Sequence, residues 1–220
     1  MILMFIYKLN LSFQMANILH LDSSPRGNRS RSRHLSKEFV REWQSLHPED
    51  TVTYRDLRTT VIPHVTEEWI AADYTPLPEQ TLQMSQTLQL SNDLVDEFLA
   101  SDRFVFGVPM YNFSIPSGFK AYIDYIVRVG RTFAIENGRF RGLVKDRKIV
   151  FITARGDRYS KGSTHAGWDA QEPSLRYAFQ FIGVTDIQFI HAEGLDLGSE
   201  SREKGLVAAR AEIQQLVSSW

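Results

Sequence analysis

No cysteine occurs among the 220 residues. That absence removes disulfides, thiolate metal sites and thiol redox chemistry, so any electron transfer must be carried by a bound cofactor. A charge excess is also missing. Lys and Arg number 25 against 26 Asp and Glu, a formal net charge of −1, which leaves no electrostatic footprint for nucleic acid or an anionic membrane. Neither is expected as a partner. Nor is there a His/Asp/Glu group with metal-ligand or nucleophile–base spacing, so no metal is expected and a phosphodiesterase reading has nothing to stand on. The most apolar stretch, Met1-Ile2-Leu3-Met4-Phe5-Ile6-Tyr7, is too short to span a bilayer. Lys8 follows it rather than preceding it and no small-residue cleavage pattern comes after, so it does not read as a secretory signal. The expectation is a cytoplasmic protein. Residues 1–16 form an N-terminal extension that the fold does not need, with Met15 as an alternative start, and 17–220 form one domain.

What the chain does have is an alternation of short apolar runs with helical patterns. Strands are read at Asn17–Leu21, Thr51–Tyr54, Arg103–Val108, Lys148–Thr153 and Asp186–Ile190, and helices at Ser32–Leu46, Glu79–Ala100, Pro116–Val129, Glu172–Ile182 and Glu200–Ser218. The runs Phe104-Val105-Phe106-Gly107-Val108 and Ile149-Val150-Phe151-Ile152 lack polar alternation, as strands covered on both faces do. Right-handed crossovers then give an α/β three-layer sandwich of flavodoxin-like type, with a five-stranded parallel sheet in the order 2-1-3-4-5. Ligands in such folds sit beyond the carboxyl ends of the strands, near the switch between strands 1 and 3. Unusual loops follow strands 1, 3 and 4.

After strand 1 comes Asp22-Ser23-Ser24-Pro25-Arg26-Gly27-Asn28-Arg29-Ser30-Arg31-Ser32. A hydroxyl-rich turn running into a helix N-terminus offers Ser donors, unpaired backbone N–H groups and the positive end of the helix dipole to an anion. It lacks both the Walker lysine pattern and the G-x-G-x-x-G of dinucleotide folds. A terminal monophosphate suits it, held by Ser24, Ser30 and Ser32 with Arg31 as a further donor, which is how FMN would be gripped by its tail. After strand 3, Pro109-Met110-Tyr111-Asn112-Phe113-Ser114-Ile115-Pro116 combines prolines, aromatics and an amide. Met110, Tyr111 and Phe113 supply an apolar edge for a flat heteroaromatic ring, and Asn112 a polar group for its rim. After strand 4, Arg155-Gly156 lets backbone approach the ring. A carboxylate at Asp157 lowers the potential of a reduced anionic flavin unless it turns to solvent or pairs with Arg155 or Arg158.

These motifs, together with Phe181-Ile182-Gly183-Val184-Thr185-Asp186 leading to Ala192-Glu193-Gly194, resemble the FMN-dependent NADH azoreductases, also described as NADH:quinone oxidoreductases. The resemblance covers nearly everything from Ala16 to the C-terminus. It implies FMN contacts at Ser24, Ser30, Arg31 and Ser32 for the phosphate, and at Met110, Tyr111, Asn112, Phe113, Ala154, Arg155, Gly156 and Asp157 for the ring. The family usually reads Ser-Arg-Gly-Gly where this chain reads Ala154-Arg155-Gly156-Asp157, and the contact there is expected through backbone. The resemblance further implies a homodimer, for which Leu57–Pro78 and Arg131–Arg141 are the candidate interface segments. The expected activity is hydride transfer from NADH, then reduction of quinones to hydroquinones and of azo compounds to amines, with ping-pong kinetics. No side chain is nominated as an essential catalytic acid; His165 and His191 are potential proton donors. The alternatives are a flavodoxin-like electron carrier, which the near-neutral charge disfavours, and a non-enzymatic flavin-binding or sensing protein.

Overall fold

Every strand of the main sheet runs parallel, and helices cover both of its faces. The computed structural model describes residues 15–220, so the expected extension falls outside the described residues except for Met15 and Ala16. The elements are β1 (Asn17–Asp22), α1 (Arg31–Leu46), β2 (Thr51–Asp56), α2 (Glu67–Tyr74), α3 (Leu82–Leu99), β3 (Arg103–Pro109), α4 (Ser117–Ile126), β4 (Phe133–Glu136), β5 (Arg139–Gly142), β6 (Lys148–Ala154), α5 (Gln171–Phe181), β7 (Asp186–Ala192) and α6 (Ser199–Val217). The five-stranded sheet has the order β2-β1-β3-β6-β7. This differs from the expected 2-1-3-4-5 because an antiparallel hairpin, β4–β5, intervenes in the chain and stays outside the sheet. The fourth and fifth sheet strands are therefore β6 and β7.

The apolar runs explain the layering. Successive side chains on a strand face opposite ways, so β3 sends Phe104, Phe106 and Val108 into one core and Val105 into the other. On the first face these rings meet Phe98 of α3, Phe119 and Tyr122 of α4 and Phe179 of α5. On the second, Ile18, Val105 and Val150 meet Leu35 and Phe39 of α1 and Ile213 of α6. Both cores are built of aliphatic and aromatic side chains, whose burial is the term that stabilises such domains most.

Two elements fall in the expected interface segments, α2 within Leu57–Pro78 and the β4–β5 hairpin overlapping Arg131–Arg141. Helix α2 starts at Thr66, whose hydroxyl accepts from the Trp69 N–H, with Glu67 and Glu68 in its first turn, a favourable arrangement at a helix N-terminus. Its Asp73 is buried against Arg128. The β4–β5 hairpin turns at Asn137 and Gly138, both with positive φ (53° and 71°), as a two-residue turn of that kind requires. It packs through Phe133, Phe140 and Phe181, with ring centroids 4.9–6.0 Å apart. Its last residue, Gly142, touches the turn after α5 so closely that a Cβ would lie 2.3 Å from the Gly183 nitrogen. Among the described residues no helix is long and apolar enough to cross a membrane.

Helix α5 is tied to the edge strand β7 by Glu172, which accepts from His191 Nε2 (3.0 Å) and Arg176 Nη2 (2.6 Å). His191 first, and Arg176 with it, outweighs partial burial and pulls the Glu172 carboxyl down from 4.5 to about 2. A carboxyl depressed in the folded state stabilises above its unfolded pKa and loses that contribution as pH falls toward its folded value. Between pH 4.5 and about 2, the unfolding free energy of Glu172→Gln should therefore vary less steeply than that of the parent. Urea denaturation at several pH values checks this, and parallel profiles would count against the link.

Candidate active site

The phosphate turn is built outward from the end of β1. Ser23 donates twice to the Gly107 carbonyl of β3, from its N–H (3.0 Å) and its hydroxyl (3.1 Å). A single 3-10 turn follows over Gly27–Arg29, and Ser30 then caps α1, its hydroxyl accepting from the Arg33 N–H. Ser30 Oγ also lies 3.1 Å from Ser32 Oγ. No acidic residue occupies the first turn of α1, so the positive end of the helix is not neutralised from within. The Ser24 hydroxyl accepts from the Arg26 N–H.

Arg33 fixes this turn from beneath. Its guanidinium, 8% exposed, donates twice to the Ser24 carbonyl (2.9 and 2.6 Å) and pairs with Asp56 of β2. It also donates to the Tyr54 hydroxyl at 2.9 Å, which in turn donates to Asp22 Oδ2 at 3.0 Å. Burial, reinforced by Asp22, pushes the Tyr54 phenol up to about 12, so it remains a donor. Arg33 directly follows the serine-rich loop motif, which ends at Ser32, and was not among the expected site residues; its helical position, three residues after the cap, was the available signal.

The turn after β3 is tighter than its sequence implies. Tyr111 and Ser114 exchange backbone hydrogen bonds, each at 3.0 Å, and Asn112 and Phe113 between them both have positive φ (47° and 67°). A bulky residue in that region is strained. The strain is held in place because Phe113 accepts from the Ala170 N–H (3.0 Å) and packs edge-on against Trp168 and Tyr159. The end of β3 is stitched to β6 through the Met110 N–H and the Ala154 carbonyl at 2.9 Å.

After β6 the Arg155 side chain turns into the protein and is 2% exposed, meeting Asp169 at 2.9 Å and Glu193 at 3.4 Å. Gly156 sits against the loop after β7: a Cβ there would lie 2.6 Å from Asp196 Oδ2. Asp157 pairs with His165 Nδ1 at 2.8 Å and accepts from the Arg158 N–H. It is therefore engaged by His165 and the Arg158 backbone, where the sequence had offered the Arg155 and Arg158 side chains or solvent.

These segments converge. One cavity of about 460 Å³ is lined by Ser24, Ser30 and Arg31 from the first, Met110 and Tyr111 from the second, and Ala154, Arg155 and Gly156 from the third. That volume is within the range of small-molecule sites. Four of the expected residues do not line it. Ser32 is fully buried behind Ser30; Asn112 lines an adjoining cavity on the far side of Tyr111; Phe113 and Asp157 face the 159–168 loop. Conversely, Leu195, Asp196 and Arg202 line the cavity and had no local sequence signal, because the sheet order alone brings the loop after β7 and the first turn of α6 to this place.

The fold and the cleft together define a flavodoxin-like α/β protein with a candidate nucleotide site at the switch point of its sheet. Residues 16–217 match the family described as having a flavodoxin-like fold. The chain is 55% identical over 207 residues, 94% of it and 100% of the relative, to FMN-dependent NADH:quinone oxidoreductase 2 of Trichormus variabilis. It is likewise 55% identical to FMN-dependent NADH:quinone oxidoreductase of Nostoc punctiforme, over 94% of this chain and 100% of that one. The crystal structure of an azoreductase from Bacillus anthracis superposes with a TM-score of 0.86 at 26% identity, covering 94% of this chain and 100% of that one. The chain belongs to the family of FMN-dependent NADH:quinone oxidoreductases and azoreductases.

Proposed function

We propose that this protein is an FMN-dependent oxidoreductase that takes hydride from NADH and reduces quinones to hydroquinones and azo compounds to amines. The observation carrying this reading is the single cavity in which the serine turn, the Met110–Tyr111 edge and the Ala154–Gly156 backbone meet. Its polar end fits a phosphate: a capped helix N-terminus without acids, Ser24 and Ser30 on the wall, and exposed Arg26, Arg29 and Arg31 around them. Its other end fits a flat ring, with Tyr111 held rigid and Gly156 bare.

When bound, FMN supplies two-electron chemistry, accepting a hydride equivalent and passing it on. The chain's own residues bind and orient. Ser24 and Ser30 would hold the phosphate with Arg31, and Met110 and Tyr111 together with Ala154, Arg155 and Gly156 would frame the ring. No side chain acts as nucleophile or essential acid. Donor and oxidant use the same open side of the cavity in turn, so a quinone consumes one NADH and an azo bond two. We further propose that it works in the cytoplasm as a homodimer. Exposed Val61 and Leu77, each 81% exposed, and Tyr74 on the 57–78 segment support an interface there, since apolar side chains clustered on a surface mark contact sites.

Purified protein incubated with FMN should turn yellow and oxidise NADH with menadione, giving parallel double-reciprocal lines, at a solution mass twice that of the chain by light scattering. A colourless protein that takes up no FMN ends the reading. Intersecting lines remove the shared-site order.

A further inference from the structure

On the other flank of the phosphate turn lies a second cavity of about 500 Å³. It adjoins the first, Asn28 and His34 lining both. One exposed face of α1 leads into it. Arg31, His34, Lys37 and Arg41 are spaced three, three and four residues apart, the separation that stacks side chains along one side of a helix, and all four are exposed. Among the described residues Arg31, Lys37 and Arg41 make no ion pair. The nearest acid on the helix, Glu38, is taken by Arg210 of α6 (2.8 Å).

The carboxylates in this cavity are already engaged. Asp22 accepts from Ser36 (2.8 Å) and Tyr54 (3.0 Å); Asp56 accepts from Arg33 and from the Arg58 N–H. That leaves Lys37 and Arg41 on the wall, with Arg58, whose Nε lies 3.5 Å from Asp56 Oδ2, as a third cation there; positive charge outnumbers negative, so the cavity favours anions. It also has an aromatic wall. Tyr54 is 53% exposed, with its ring 4.9 Å from that of His20. His20 is 6% exposed; its Nε2 meets Ser36 Oγ at 3.0 Å, and among the described residues its other ring nitrogen has no partner. Cations beside an exposed aromatic face, with a buried imidazole in the wall, form a donor set for a phosphate attached to a heteroaromatic base.

We propose that this cavity is a second nucleotide site, in which Lys37, Arg41 and Arg58 take phosphates and Tyr54 faces the base. The ligand is an adenosine diphosphate group, either as the remote half of the NADH donor or as a free nucleotide. The first source rests on the oxidoreductase reading; the site itself does not.

The test titrates ADP calorimetrically into FMN-saturated protein at low salt, for the parent, for Lys37→Glu with Arg41→Glu, and for a control with the same charge change at the opposite end of the sheet, Lys145→Glu with Lys148→Glu. The expected result is ADP binding in the parent and control, weakened about tenfold or more in the α1 variant, with FMN content by absorbance unchanged. No binding at roughly millimolar ADP, or equal losses in both variants, overturns the proposal. Steady-state kinetics then identify the source. If the donor's adenosine end binds here, the α1 variant raises KM for NADH but not for reduced nicotinamide mononucleotide, which lacks adenosine. If ADP binding falls and KM for NADH stays put, the ligand is a free nucleotide. A chain that takes up no FMN defeats the oxidoreductase reading alone, because the ADP titration is repeated without FMN.

Discussion

Arg155→Met should lower the unfolding free energy by about 3–5 kcal/mol, the usual cost of removing one partner from a buried charge group. The guanidinium lies beneath the site with Asp169 at 2.9 Å, Glu193 at 3.4 Å and Gln171 Oε1 at 3.1 Å. Without it two mostly buried carboxylates face each other unneutralised. Both have further duties. Asp169 accepts from the N–H groups of Gln171 and Glu172 at the start of α5 (2.9 and 3.0 Å), and Glu193 accepts from the Tyr159 N–H (2.9 Å). Gln171 continues the connection to the Val108 carbonyl of β3 (3.3 Å). The residue expected to tune a ring from the side therefore ties β3, β6, β7 and α5 together below it. Urea unfolding measures the effect, and a loss under about 1 kcal/mol would mean that the cluster relaxes around the missing charge.

Ser30→Ala with Ser32→Ala should weaken FMN binding about tenfold or more, since Ser30 lines the cavity and a hydrogen bond to a charged group is worth roughly 1.5–3 kcal/mol. The Ser32 hydroxyl lies buried 3.1 Å behind that of Ser30, where it orients the Ser30 hydroxyl. The same change removes the cap of α1, which costs about 1 kcal/mol of stability. Fluorescence titration of FMN at a temperature where the variant is fully folded separates the two effects. Unchanged affinity would take these hydroxyls out of the phosphate site.

The parallel sheet was legible because its central strands lack polar alternation over Phe104–Val108 and Ile149–Ile152, and the candidate site was legible because three loops at strand ends carried unusual residues. What escaped reading had physical reasons. Arg139-Phe140-Arg141 of β5 is exposed throughout, so it shows no apolar run; Asn137-Gly138 was the one hairpin signal available. Helix α2 is only eight residues long, too short for a periodic pattern, although Thr66-Glu67-Glu68 marked its start. Leu195 and Asp196 reach the cavity by topology and could not be found locally. Ser32, Asn112, Phe113 and Asp157 were chosen by motif, but side-chain direction depends on details such as the left-handed turn at Asn112 and Phe113, which composition does not reveal.

The contact of Gly142 with Gly183 has a consequence for assembly. Main chain presses on main chain there, with a Cβ on Gly183 only 2.8 Å from the Val144 carbonyl oxygen, so the hairpin has no room to pivot. The side chains at its tip, Ile135 and Phe140, 50% and 65% exposed, are aimed before anything meets them. A partner meeting that tip would dock on a preformed surface, with little ordering entropy left to lose on contact.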